Sequence, residues 1–121
     1  MDANELKNRT KRFALRVIKL VGALPRSVEG RAIANQLVRS STSVAANYRA
    51  SCRARSRSEF IAKIGLVLEE VDESLFWLEL IADAKLMPEG RIQSLLVEAN
   101  ELVAIMVATR RSAAANLRSE I

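Results

Sequence analysis

The side chains in this sequence with the clearest chemical potential are cations. Arg49, Arg53 and Arg57 recur every four residues with Arg55 beside them, and Arg12, Arg16 and Arg39 lie upstream. On a helix, four-residue spacing brings guanidinium groups onto one face. That arrangement suits phosphate, where each neutralised charge adds salt-dependent affinity without sequence preference. These seven arginines are the candidate nucleic-acid-binding residues. Stacking on bases is not expected, because Phe13 and Tyr48, the aromatics of the basic region, fall on core positions. The carboxylates gather elsewhere, at Glu69, Glu70, Asp72, Glu73 and Glu79. Helical bundles build carboxylate metal sites from Glu-x-x-His motifs, and this chain has no histidine with which to complete one. The acids are therefore expected to form a solvated face or to pair with arginines. Zinc sites of the Cys/His kind, Ser-His-Asp catalysis and a disulfide framework fall away with the missing histidine and the single cysteine. Cys52 has no base to activate it and is assigned no role. No enzymatic activity, cofactor or metal is expected.

The net charge of +5 on 121 residues conceals a division along the chain. Residues 1–60 carry 13 Lys and Arg against 4 Asp and Glu, residues 61–109 carry 3 against 9, and the remainder 3 against 1. Two uses of the basic half compete. It can meet phosphate, or it can neutralise the acidic half of a neighbouring helix or subunit and so set register in an assembly. The polar N-terminus and the lack of an apolar run long enough to span a membrane lead to the expectation of a cytoplasmic protein with no membrane partner.

The elements that must position these charges are helices. Phe13, Val17, Leu20 and Leu24 recur at steps of four, three and four, predicting a helix over about 4–23 that Pro25 ends. Ser27 is a plausible N-cap for a second helix over about 28–54, in which Ile33, Leu37, Val44 and Tyr48 keep helical spacing across the run Ser40-Ser41-Thr42-Ser43. The hydroxyl run gives this helix a small-residue face that a neighbour can approach closely. Ser56-Arg57-Ser58-Glu59 has the Ser-x-x-Glu pattern of a capping box and opens a third helix over about 57–85, with a core face of Phe60, Ile64, Val67, Val71, Leu75, Leu78 and Ala82. Pro88 suits the first turn of a fourth helix over about 88–112, whose seam reads Ile92, Leu95, Ala99, Leu102 and Met106. The tail after 112 is expected to fray. Four amphipathic helices with short connections predict one domain over 1–121, an all-α, antiparallel up-down-up-down four-helix bundle.

Helices three and four carry more apolar groups than one bundle interior needs. Phe76, Trp77, Leu80, Ile81, Leu96 and Val103 lie largely outside the assigned seams and are the candidate oligomer interface. Asn47 falls on the inner face of the second helix beside Val44 and Tyr48, where a buried amide requires a partner; Glu69, Glu70 or Glu73 is expected to supply it and so fix helix register.

The stretch Gln36 to Arg49, with its Arg-Ser-x-x-Ser-Val-x-x-Asn-Tyr-Arg pattern, together with Ser56 to Phe60, Leu68 to Ser74 and Trp77-Leu78-Glu79-Leu80, resembles the small bacterial four-helix bundle proteins related to those encoded in intervening sequences of 23S ribosomal RNA genes. The similarity spans about residues 10–110. Ala50 and Ser51 stand where that family usually has an acidic residue. The resemblance implies a homopentamer. It also implies kinship with the accessory proteins of diversity-generating retroelements, which bind nucleic acid and a reverse transcriptase through basic surfaces, and it implies no enzymatic activity. The combined expectation is a non-enzymatic homo-oligomer whose basic surface binds RNA or DNA or docks a nucleic-acid-handling enzyme. The alternative is a protein-protein scaffold with its charges spent on assembly.

Overall fold

A computed structural model describes residues 1–120, and it consists of four α-helices: α1 (Ala3–Val21), α2 (Val28–Ser51), α3 (Arg57–Asp83) and α4 (Glu89–Glu120). Each of the first three begins at a side chain that satisfies an orphan backbone donor of the first turn. The Asp2 carboxylate accepts from Glu5 N–H at 2.8 Å, the Ser27 hydroxyl from Gly30 N–H at 3.1 Å, and the Ser56 hydroxyl from Glu59 N–H at 3.0 Å. The capping box at Ser56 closes one residue early, since the Glu59 carboxylate accepts from Arg55 N–H at 3.1 Å. α3 ends by turning at Lys85, which takes φ 56°, and Leu86 N–H donates back to Ile81 C=O at 3.1 Å. This six-to-one bond is the helix-terminating arrangement in which glycine is the usual left-handed residue.

The helices pack antiparallel around one core in which Phe13, Val17, Leu37, Val44, Ile64, Val67, Val71, Leu78, Ile92, Leu102 and Met106 are fully buried. Adjacent helices in sequence make the extensive contacts, and α1 against α4 makes the sparsest. That open seam is bridged by charge. Arg9 donates to Glu98 at 2.8 and 2.7 Å and also to Glu101, and Arg16 donates to Ser94 Oγ at 2.9 Å. The Arg9 hydrogen bond holds the Glu98 carboxyl below its ordinary range, against the opposing effect of burial. A carboxylate with a folded-state pKa below its unfolded value stabilises the fold above that unfolded value, about 4.3 for Glu, and the contribution is lost as pH falls through the folded pKa. Glu98→Gln is therefore expected to lower stability near neutrality, with the gap to the parent protein closing as the solution is acidified below about pH 4. Chemical denaturation across that pH range reads the difference; a gap that stays constant or widens in acid contradicts the assignment.

The hydroxyl run remains helical because its side chains bond back to the helix. Ser40 donates to Leu37 C=O at 3.3 Å, Ser41 to Val38 C=O at 3.3 Å and Thr42 to Val38 C=O at 2.7 Å. Ser40 also meets Ser74 of α3 at 2.8 Å, and both are fully buried. This hydroxyl pair, rather than an Asn–Glu pair, is the buried polar contact between α2 and α3.

Three expectations are corrected here. Asn47 is half-buried and makes no side-chain hydrogen bond to Glu69, Glu70 or Glu73 among the described residues. With Ser40 bonded to Ser74, Glu70 and Glu73 of α3 meet Arg39 instead. The α3 core face runs Val71, Ser74, Leu78, Ile81, so Ile81 is fully buried in its own bundle and is no candidate for a subunit interface. α4 does not fray after 112. It continues to Glu120, with Ala113 buried and Arg57 donating to Glu120 at 2.9 Å. Ile121, the last residue of the tail expected to fray, lies outside the described residues.

A stretch of α4 is, by length and composition, apolar enough to cross a membrane, with a mean hydropathy of 1.4, contrary to the expectation that no such run exists. In the fold, the Ile92, Leu95, Ala99, Leu102 and Met106 side of this helix lines the bundle interior, and Glu98 and Glu101 of the same helix bind Arg9.

Candidate nucleic-acid interface

Antiparallel packing brings the start of α1, the end of α2, the start of α3 and the end of α4 to the same end of the bundle. Residues 1–12, 49–60 and 110–120, which meet there, hold eleven Lys and Arg against four Asp and Glu. The arginines of the tail, separated in sequence from the Arg49–Arg57 cluster, are thereby carried to it. The Arg110 guanidinium lies against α3 where Gly65 leaves room, 3.7 Å from the position a β-carbon would take.

Between α1 and α2 this end opens into a groove of about 630 Å³. Lys7 and Lys11 line it from α1, Arg49 from the last turn of α2, and Arg53 from the turn that follows Ser51, where α2 ends short of the expected residue 54. Lys7 and Lys11 are separated by four residues of α1, a rise of about 6 Å. Asn4 and Asn8 add amide groups, Ala14, Ala45 and Ala46 contribute only methyl groups, and no carboxylate lines the groove. None of the four cations takes part in an ion pair among the described residues.

The seven arginines singled out in the sequence have different fates. Arg49 and Arg53 line the groove. Arg12 and Arg55 are exposed. Arg39 is engaged on α3, where it donates to Glu73 and to Glu70 at 3.4 Å. The Trp77 indole N–H, 3.0 Å from the same Glu73 oxygen, and the Arg39 guanidinium together hold the Glu73 carboxyl below its usual range. Arg57 is bound to Glu120 and Arg16 to Ser94. Part of the basic half is thus neutralised inside the protomer. Glu69, by contrast, is exposed. Lys7 and Lys11 are not among the cations that spacing singles out in the sequence. Their i, i+4 spacing was visible, but the helix they would face was not.

Of the interface candidates, Phe76 is 53% exposed, whereas Trp77, Leu80, Leu96 and Val103 are half-buried against the protomer's own core. Phe76 and Trp77 meet edge to face with ring centroids 5.0 Å apart. Among the described residues no group of three or more Cys, Asp or Glu side chains is placed to hold a metal ion.

The profile of the 23S rRNA-intervening sequence protein family matches residues 3–108. The chain belongs to that family. A crystal structure of a protein of unknown function from the S23 ribosomal protein family of Bacteroides thetaiotaomicron is similar to the whole bundle, with a TM-score of 0.83 and 28% sequence identity over 92% of this chain and 99% of that one. No curated protein matches. Neither the family description nor that of the structure names an enzymatic activity. The family match ends at residue 108, so the last turns of α4, with Arg110, Arg111 and Arg118, lie beyond it.

Proposed function

We propose that this member of the 23S rRNA-intervening sequence protein family is a non-enzymatic homo-oligomer, a pentamer, that binds the phosphate backbone of nucleic acid. The observation that carries the reading is the α1–α2 groove, where four cations without carboxylate partners converge on one recess. Unpaired cations held apart from acids are the groups that exchange counterions for phosphate at little cost. Arg39 and Arg57, already bonded to Glu70, Glu73 and Glu120, are excluded from the primary contact set. The oligomer is supported by Phe76, a large apolar side chain more than half exposed beside Trp77, and its number is the one implied by the family resemblance.

Light scattering coupled to gel filtration tests both parts. The chain alone is expected to elute at five times its protomer mass of 13.4 kDa, and at low salt it is expected to carry an added RNA oligonucleotide with it. A monomer removes the oligomer from the proposal. A pentamer that leaves the oligonucleotide behind favours the scaffold reading, in which the charges serve assembly alone.

A further inference from the structure

The groove between α1 and α2 has dimensions and chemistry that discriminate between forms of nucleic acid. Packed helix axes lie about 8–10 Å apart, so a recess between two of them is narrower than a duplex, whose major groove alone is about 12 Å wide. A volume of about 630 Å³ accommodates a short length of one chain. Lys7 and Lys11 stand on one wall, and Arg49 and Arg53 on the other. A chain lying between them meets cations on both sides, whereas a duplex resting across the opening reaches the rim. The recess presents small methyl groups, with no aromatic ring among its lining residues, so there is no platform on which bases would stack. Its cations address phosphate, and the amides of Asn4 and Asn8 can donate to or accept from sugar and base atoms.

The geometry points to a binding site for a single-stranded phosphodiester chain in this groove, recognised by its backbone and without sequence preference. The inference rests on the nucleic-acid reading above and narrows it to one form and one place. Arg110, Arg111 and Arg118 at the end of α4 lie outside the groove and serve as an internal comparison.

The test measures affinity of the full chain for a labelled oligouridylate and for a blunt RNA duplex of the same length, at several salt concentrations. A duplex that reaches two of the four cations at the rim has a salt slope of about 1.8, against about 2.8 for a single strand that meets all four, so single-strand binding is expected to be tighter by about tenfold near 0.1 M salt. Lys11→Gln with Arg49→Gln is expected to reduce the slope of log K against log salt for the oligouridylate by about 1.4, while Arg111→Gln with Arg118→Gln, at the same end but outside the groove, reduces it by less than half as much. A duplex bound as tightly as the single strand, or groove substitutions that leave single-strand binding intact while the α4 pair removes it, overturns the groove assignment and leaves the nucleic-acid reading standing. No binding of either probe overturns both.

Discussion

Exchanging Lys7, Lys11, Arg49 and Arg53 together for glutamine is expected to weaken RNA binding several hundred-fold near 0.1 M salt without unfolding the protein. The size follows from counterion release: four phosphate contacts at about 0.7 each contribute a salt slope of about 2.8, which over the decade between 0.1 M and 1 M amounts to roughly 600-fold. The fold is expected to survive, because none of the four is in an ion pair among the described residues and none belongs to the buried core. Circular dichroism controls for folding, and anisotropy with labelled RNA reads the affinity. The same count of substitutions at Arg39, Arg57, Arg110 and Arg111 is expected to cost far less binding, because Arg39 and Arg57 are already bound to carboxylates. Equal losses from the two sets would mean that general charge, rather than the groove, governs association.

Replacing Gly30 by alanine is expected to destabilise the bundle by about 1–3 kcal/mol, the usual cost of forcing an atom into packed surroundings. In the first turn of α2, a β-carbon on Gly30 would lie 2.0 Å from the backbone carbonyl oxygen of Pro25, so the α1–α2 connection must move to admit it. That movement also disturbs the Ser27 cap, whose hydroxyl accepts from Gly30 N–H. Elsewhere in a helix the exchange of Gly for Ala is worth up to about 1 kcal/mol of stabilisation. Gly90, where a β-carbon would meet nothing within 4 Å, provides the comparison, and Gly90→Ala is expected to be neutral or stabilising. Thermal or denaturant unfolding of the two variants should move in opposite directions or differ by several degrees. A Gly30→Ala protein as stable as the parent would show that the close approach is relieved without cost.

The four helices and most of the core were legible in the sequence because apolar spacing and end signals agree with one another. Ser27 and Ser56 cap α2 and α3 as expected, α1 closes at Val21 and Gly22, a little ahead of the end read from Pro25, and Phe13, Leu37, Ile64 and Met106 all fall on buried faces. The failures occur where a contact between helices overrides local preference. Periodicity favours Leu75 and Ala82 as core residues, but the buried face of α3 runs through Ser74, bonded to Ser40, and Ile81, and Leu75 and Ala82 are only half-buried. Asn47 was given a carboxylate partner by approximate pairing, and the register seen at Ser40 and Ser74 puts Glu70 and Glu73 beside Arg39 instead. The tail after 112, which opens on three alanines, carries little periodic signal, yet Ala113 finds a buried place and Arg57 holds Glu120.

The candidate site was half legible for the same reason. Arg49 and Arg53 announce themselves by spacing, whereas Lys7 and Lys11 gain meaning only when antiparallel packing puts them across a groove from those arginines. Charge summed along the chain also could not separate the arginines that are free from those already bound. The structure makes that division through Arg9 on Glu98, Arg39 on Glu73 and Arg57 on Glu120.

The most direct measurement is the affinity of the unmodified chain for single-stranded RNA as a function of salt. The four groove cations predict binding at low salt with log K falling against log salt at a slope of about −3 or steeper. Absence of binding at low salt, or an affinity indifferent to salt, would contradict the account.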